Sequence, residues 1–355
     1  MKLFKKITAI LLCVLMVMSV ASCGEDTSWV IKTDKTTTTS GMYLYYLLGA
    51  YSNAYNFVED PEKDIISQTI DGVKAEEWIK NTAMDSAKFA TVILERFDEK
   101  KLALSEENEQ YAKQYADYYW GVAGQVYLNH GVTYDTFLKC IKIDLMVSQL
   151  FETVYGKGGE KEISAEDMKK GLAENFVKVK EIGISLAGIT GEMRSDKVQE
   201  NLKQKAEDYK KRIEAGEKIE DLIKEHYKLE VDLAVEESGK TAEELMGGST
   251  ADDIDTDFVV ISKNATNYSE NEINEVFKLE NGKVVVLVEK EYVRVIQKYD
   301  ILEDETLLEQ YDYDIRVSLK AEEFTEEIEA AAKDLVVEIN EAALKKYKPS
   351  KIRLQ

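Results

Sequence analysis

The side chains able to do chemistry are few and scattered. There are two histidines, His130 and His226, and three cysteines, Cys13, Cys23 and Cys140. Neither histidine belongs to a ligand cluster, which argues against a transition-metal site. Cys140 lies in the apolar helical stretch from Tyr134 to Val154, where a thiol behaves as a small buried hydrophobe, and no histidine stands at a spacing that would make it a nucleophile. Asp253-Ile254-Asp255-Thr256-Asp257 begins like a calcium loop, with carboxylates at alternate positions. Phe258, however, sits where glycine must turn the chain, and Asn264 where a bidentate acid must close the loop, so the run reads as a solvated acidic loop. The chain has no glycine-rich phosphate loop, nucleophile-elbow serine or zinc-protease motif. Among 68 acidic residues, paired carboxylates carry no information about glycosidase chemistry. The residues therefore designate no catalytic group, no metal and no cofactor.

Composition sets the frame around them. A net charge of −22 repels nucleic acid and disfavours a basic patch on anionic lipid. With 44% hydrophobic and 32% charged residues the chain is a folded one. Only two prolines, Pro61 and Pro349, interrupt it, which leaves room for long helices. A polar run, Thr36 to Ser40, leads into an aromatic-rich helix from Met42 to Phe57. From Ala75 to Phe97, Ile79, Ala83, Ala87, Ala90, Leu94 and Phe97 recur as one face of an amphipathic helix. Ser105 caps a helix in which Tyr111, Tyr115, Tyr118, Val122 and Val126 recur at helical spacing until His130-Gly131. Thr133 caps the next, and Ser164 opens a short one ending at Phe176.

The texture changes after Asn175. Ile182, Ile184 and Leu186 alternate as in a half-buried strand. A long polar helix carries Val198, Leu202, Ala206, Tyr209 and Ile213 on one stripe and stops at Gly216. A shorter helix groups Ile219, Leu222 and Ile223, and Leu229, Val231, Leu233 and Val235 alternate. Phe258 to Ile261 reads as a strand, and Val284 to Val288 with Tyr292 to Ile296 as a hairpin. From Asp304 the chain returns to helix through Asn340, with Leu335 to Ile339 extended. These elements predict an α+β protein: a mostly helical domain from 41–175 plus 303–355, interrupted by an α+β domain at 176–302.

The start of the chain carries its own message. Lys2, Lys5 and Lys6 precede an apolar run from Ile7 to Ala21, too short and wrongly flanked for a spanning helix, so 1–22 reads as a secretory signal peptide. The exit Val20-Ala21-Ser22-Cys23 resembles the lipobox of bacterial lipoproteins. That resemblance implies lipid on the Cys23 thiol, a linker over 23–40, and a protein held at the outer face of the bacterial cytoplasmic membrane. Two or more acyl chains make such an anchor stable, at ~0.8 kcal/mol per buried methylene.

Taken together, the mature chain resembles SurA/PrsA-type extracytoplasmic foldases, in which a helical chaperone domain is interrupted by a parvulin-like prolyl isomerase domain. Gly131-Val132-Thr133-Tyr134-Asp135-Thr136-Phe137 resembles a late helix start of the family's N-terminal domain. Ser164-Ala165-Glu166-Asp167 resembles the entry to the isomerase domain, and Ala215 to Leu222 is similar to its "AGxxFxxLA" turn. Gly247-Gly248 is similar to its "GG" loop, Phe277 to Val284 to its "FxLxxGxV" segment, and Lys345 to Ile352 to its closing tail. The family's isomerases carry one histidine in the first strand and one in the last, forming a hydrogen-bonded pair. Here Gly183 holds the first position and Val293 or Arg294 the second, so the resemblance implies a degenerate, non-catalytic pocket marked by Gly183, Val293, Arg294 and Phe277.

The expected function is a membrane-anchored chaperone for unfolded, newly exported polypeptides, working without a cofactor and without nucleic acid. Tyrosine offers a large apolar surface with a polar tip, and Tyr115, Tyr118, Tyr119 and Trp120 are the candidate client-binding residues. Two alternatives stay open: an active peptidyl-prolyl isomerase with an atypical pocket, and a lipoprotein that docks one dedicated partner.

Overall fold

The computed structural model describes residues 28–354; the expected signal peptide at 1–22 and Cys23 lie outside the described residues. In chain order the elements are β1 (Trp29–Lys32), β2 (Thr37–Thr39), α1 (Ser40–Ala54), β3 (Thr69–Ile70), β4 (Val73–Lys74), α2 (Ala75–Glu99), α3 (Glu106–Asn129), α4 (Tyr134–Tyr155), α5 (Ala165–Asn175) and β5 (Phe176–Ser185). There follow α6 (Asp196–Glu214), α7 (Ile219–Ser238), α8 (Ala242–Met246), β6 (Val259–Ser262), α9 (Glu270–Lys278), β7 (Val284–Val288), β8 (Tyr292–Tyr299), α10 (Thr306–Gln310), α11 (Asp312–Asp334), β9 (Glu338–Ile339) and α12 (Glu341–Leu344). The protein is α+β, as its residue pattern predicts. It divides into two compact units, one from the residues up to Glu162 together with those from Lys320 on, the other Ile163–Leu319. Among the described residues no helix is long and apolar enough to cross a membrane.

The first unit is helical because its helices are well capped and carry apolar faces. The hydroxyls of Thr39, Ser105 and Thr133 each accept a backbone N–H from the first turn of the helix that follows, satisfying donors that the helix itself leaves open. In α2 the buried face is Ile79, Ala83, Ala87, Ala90, Ile93 and Phe97. The core joins Tyr43, Leu47, Ile79, Ala83, Ala116 and Phe137 to Ile352 near the chain's end.

Residues from Lys320 on are built into this unit. The Phe324 ring stands 5.5 Å from that of Phe151, and the Tyr155 hydroxyl donates to Glu323 at 3.0 Å. Arg96 Nη1 donates to Glu327 at 2.8 Å. Thr37–Thr39, read from sequence only as a polar run, is a strand: β1 pairs antiparallel with β2 on one side and β9 on the other. Asn340 Nδ2 donates to the Trp29 carbonyl at 3.0 Å. His130 ends α3 with Nδ1 2.8 Å from the Val126 carbonyl, and its Nε2 accepts the Arg353 backbone N–H at 3.2 Å. Both contacts together assign the proton to Nδ1.

The second unit is a four-stranded antiparallel sheet in the order β6-β5-β8-β7. One face, with Ile182, Ile184, Val293 and Val295, packs on Leu202, Ala206 and Tyr209 of α6 and Leu222 of α7. The other face, with Val177, Val179, Leu287 and Ile296, packs on Tyr268 and Val276. Leu229 to Val235, whose alternation suggested a strand, continues α7 to a left-handed Gly239 cap. The reason lies in His226. It is buried, its ring 5.9 Å from that of Tyr209, and it completes the helical stripe Leu222, His226, Leu229, Leu233. Arg194 braces that helix from outside, with Nη2 2.9 Å from Glu230 and Nε 2.7 Å from Glu237.

Candidate functional site

In the first unit α3 leaves four of its tyrosines outside the core. The buried positions of α3 are Ala112, Ala116 and Gly124. Small side chains there let the helix approach its neighbours closely, while Tyr111, Tyr115, Tyr118 and Tyr119 stay exposed. Tyr111, Tyr115, Tyr118 and Tyr119 are 54, 37, 68 and 42% exposed, and Val122 is 75% exposed. The rings form a continuous row: Tyr111 to Tyr115 6.1 Å, Tyr115 to Tyr119 4.3 Å, Tyr118 to Tyr119 5.1 Å. The structure thus brings Tyr115, Tyr118 and Tyr119 together and places Trp120 elsewhere. Its indole folds back over Gly124 and stacks on Tyr127 at 6.2 Å, with Tyr134 and Phe137 each 5.5 Å away. Trp120 is a partly buried core residue, because i and i+4 positions share a helix face and only a glycine leaves room for the indole there.

A groove of about 700 Å³ opens in the same unit, lined by residues that include Tyr46 of α1, Phe89 of α2, Ile143, Asp144 and Val147 of α4, and Ala332 of α11. Asp144 is open to water along the groove, yet protein surrounds it enough that its carboxyl is pushed up to about 6, with burial as the cause. Burial likewise raises the pKa of Tyr45 and Tyr46, and the nearby Asp144 and Cys140 add to both. Cys140 itself is fully buried. Sequence reading passed over this groove. Its residues come from four helices far apart in the chain, and each looks like an ordinary turn of amphipathic helix.

In the second unit the sheet decides which residue faces Gly183. Gly183 pairs with Arg294 across β5 and β8, while Val293 pairs with Ile184 and points into the opposite core, fully buried. Gly183 therefore offers bare backbone opposite a guanidinium. A cage forms around that guanidinium. Arg294 Nη1 donates to Glu181 at 3.0 Å, and Nη2 donates to the Asn267 carbonyl at 3.2 Å. The Tyr268 and Tyr292 rings flank it at 4.4 and 4.8 Å. Arg294 Nε lies 3.1 Å from Glu272 Oε1, close enough for charge attraction, although neither atom finds a hydrogen bond.

Glu272 is fully buried, accepting from Tyr292 Oη at 3.1 Å and from the Ser269 backbone N–H at 2.8 Å as part of the α9 capping box. Tyr268 donates to Glu181 at 3.0 Å. Burial opposes the charge on Arg294, but Glu181, Tyr268 and Glu272 outweigh it and its pKa ends above the ordinary value. Phe277 lies on the same face, packed against the Val177 and Val179 cluster, with the Lys263 ammonium 5.6 Å above its ring. The acidic run is committed to its own turns: Asp253 accepts from the Thr250 N–H and hydroxyl, and Asp255 from the Asp257 N–H. Among the described residues no cluster of His, Cys, Asp and Glu could hold a metal ion.

No protein-family profile matches this chain, and no curated protein matches it. Solved structures do. The foldase protein PrsA from Streptococcus pneumoniae is 15% identical, with a TM-score of 0.37, over 78% of this chain and 96% of that one. The PrsA foldase from Lactococcus lactis is 14% identical, with a TM-score of 0.37, over 89% of this chain and 96% of that one. PrsA from Bacillus subtilis is 17% identical, with a TM-score of 0.29, over 90% and 98% of the two chains. The family that these structures represent is the one the sequence motifs resemble.

Proposed function

We propose that this protein is a membrane-tethered holdase of the SurA/PrsA type, which shelters unfolded, newly exported polypeptides and carries an isomerase-shaped module without isomerase chemistry. The carrying observation is the exposed tyrosine row on α3, an apolar surface with hydrogen-bonding tips that the protein's own core does not use. Contiguous exposed apolar surface marks an interaction site, and amphipathic rings adapt to varied partners at low entropic cost. The ordered series of family-like motifs supports the assignment of type. The Gly183–Arg294 pair supports a closed pocket: a caged ion pair is the opposite of the desolvated, neutral floor that a proline ring needs. Lipidation of Cys23 would raise the local concentration of the holdase near exported chains.

The test is suppression of light scattering from a heat-aggregating client protein. Wild type is expected to suppress it, and a variant with Tyr115→Ala, Tyr118→Ala and Tyr119→Ala is expected to lose most of that effect while keeping its circular dichroism spectrum. Undiminished suppression by the folded variant would overturn the assignment of the tyrosine row. A proline-peptide assay covers the second module, where no acceleration above the uncatalysed rate is expected. Clear acceleration would overturn the closed-pocket reading.

A further inference from the structure

We propose that the groove of the helical unit receives a lysine or arginine side chain of an extended polypeptide, with Asp144 as its counter-charge and Tyr46 and Phe89 as its aromatic walls. This deepens the holdase reading, on which it rests, by naming the client feature that is recognised. The argument starts from charge placement. Three acids and two lysines line the groove. Asp85 and Lys88 lie three apart on α2, and Glu329 and Lys333 four apart on α11, spacings at which opposite charges attract although no ion pair joins either couple. Asp144 is the acid in excess of the two lysines. The nearest lysine along its own helix, Lys142, is engaged with Glu109 at 2.5 Å. Among the described residues Asp144 itself has no hydrogen bond or ion pair. Its neighbours are Tyr45 and Tyr46, which offer no positive charge.

A carboxylate partly withdrawn from water and left without a cation is costly to keep charged. A cation entering the groove would remove that cost, and aromatic faces beside it would add cation–π attraction. Buried Ala90 and Ile143 and half-buried Val147 give the same groove an apolar lining suited to the aliphatic stem of the incoming residue. The volume of about 700 Å³ is that of a ligand site. Exported segments combine such residues with apolar stretches, and the tyrosine row would hold the latter.

Two fluorescent peptides decide the matter, identical apart from one arginine replaced by norleucine, with binding followed by anisotropy. Wild type is expected to bind the arginine peptide at least tenfold more tightly. Asp144→Asn is expected to bind the two alike while remaining folded. The triple tyrosine variant is expected to keep the tenfold preference even if its overall affinity falls. Equal binding of both peptides by wild type, or a preference undiminished in Asp144→Asn, would overturn the proposal. If wild type prefers arginine yet suppresses no aggregation, the holdase reading falls and the groove stands. If it suppresses aggregation without that preference, the reverse holds.

Discussion

Arg294 shows how much one side chain can organise around itself. Among the described residues its guanidinium is the only cation paired with Glu272, which is fully buried. Removing one member of such a pair leaves the other charged and dry. Arg294→Ala is therefore expected to destabilise the sheet unit by ~3–5 kcal/mol, seen as a lower midpoint in urea. Asp144 works in the opposite sense. Its folded pKa of about 6 lies above the ordinary 3.8, so the folded state holds the proton more tightly and stability falls as pH rises between those values. Tyr45, Tyr46 and Cys140 face it, with Asp85, Lys88, Glu329 and Lys333 around the groove. Asp144→Asn is expected to melt above wild type at pH 7.5, by a margin that shrinks through pH 6 and vanishes below pH 4. Both roles escaped the sequence for one reason. Gly183 and its vicinity were legible as a departure from a motif, whereas the cage and the groove arise from side chains distant in the chain.

Elements were legible where local signals suffice. Ser105, Thr133 and Ser164 cap helices as expected, and the hairpin expected over Val284 to Val288 and Tyr292 to Ile296 forms, its second strand running on to Tyr299. They failed where a polar residue stood in for an apolar one, as His226 does in α7, and where helical spacing did not reveal which side is buried. Spacing alone grouped the α3 tyrosines as one stripe; the buried alanines and glycine decided the packing. That arrangement gives an expectation for α3 itself. A Cβ on Gly124 would stand 2.8 Å from the Trp120 ring, so Gly124→Ala must displace the indole from its stack. The expected cost is ~1–3 kcal/mol, measured by thermal unfolding, together with a red-shifted tryptophan emission.

At the scale of the whole molecule, composition and texture indicated an α+β chain whose helical character returns after the sheet, and the structure has that order. The sheet order and the strand partners of β1 were out of reach, because pairing is set by non-local contacts that no window of sequence contains. Residues 335–355 illustrate this. Deleting 335–355 removes β9, Ile352 and the backbone donor to His130. Hydrogen exchange is expected to show faster loss of protection in β1, with the β5 and β8 amides unchanged.

The β1–β9 pairing also has a temporal consequence. Trp29 and Asn340 are bonded although 311 positions apart. Whichever end of the polypeptide is released first must wait for the other before that small sheet can close. A chain lacking Glu338 and Ile339 would therefore leave one edge of β1 unpaired.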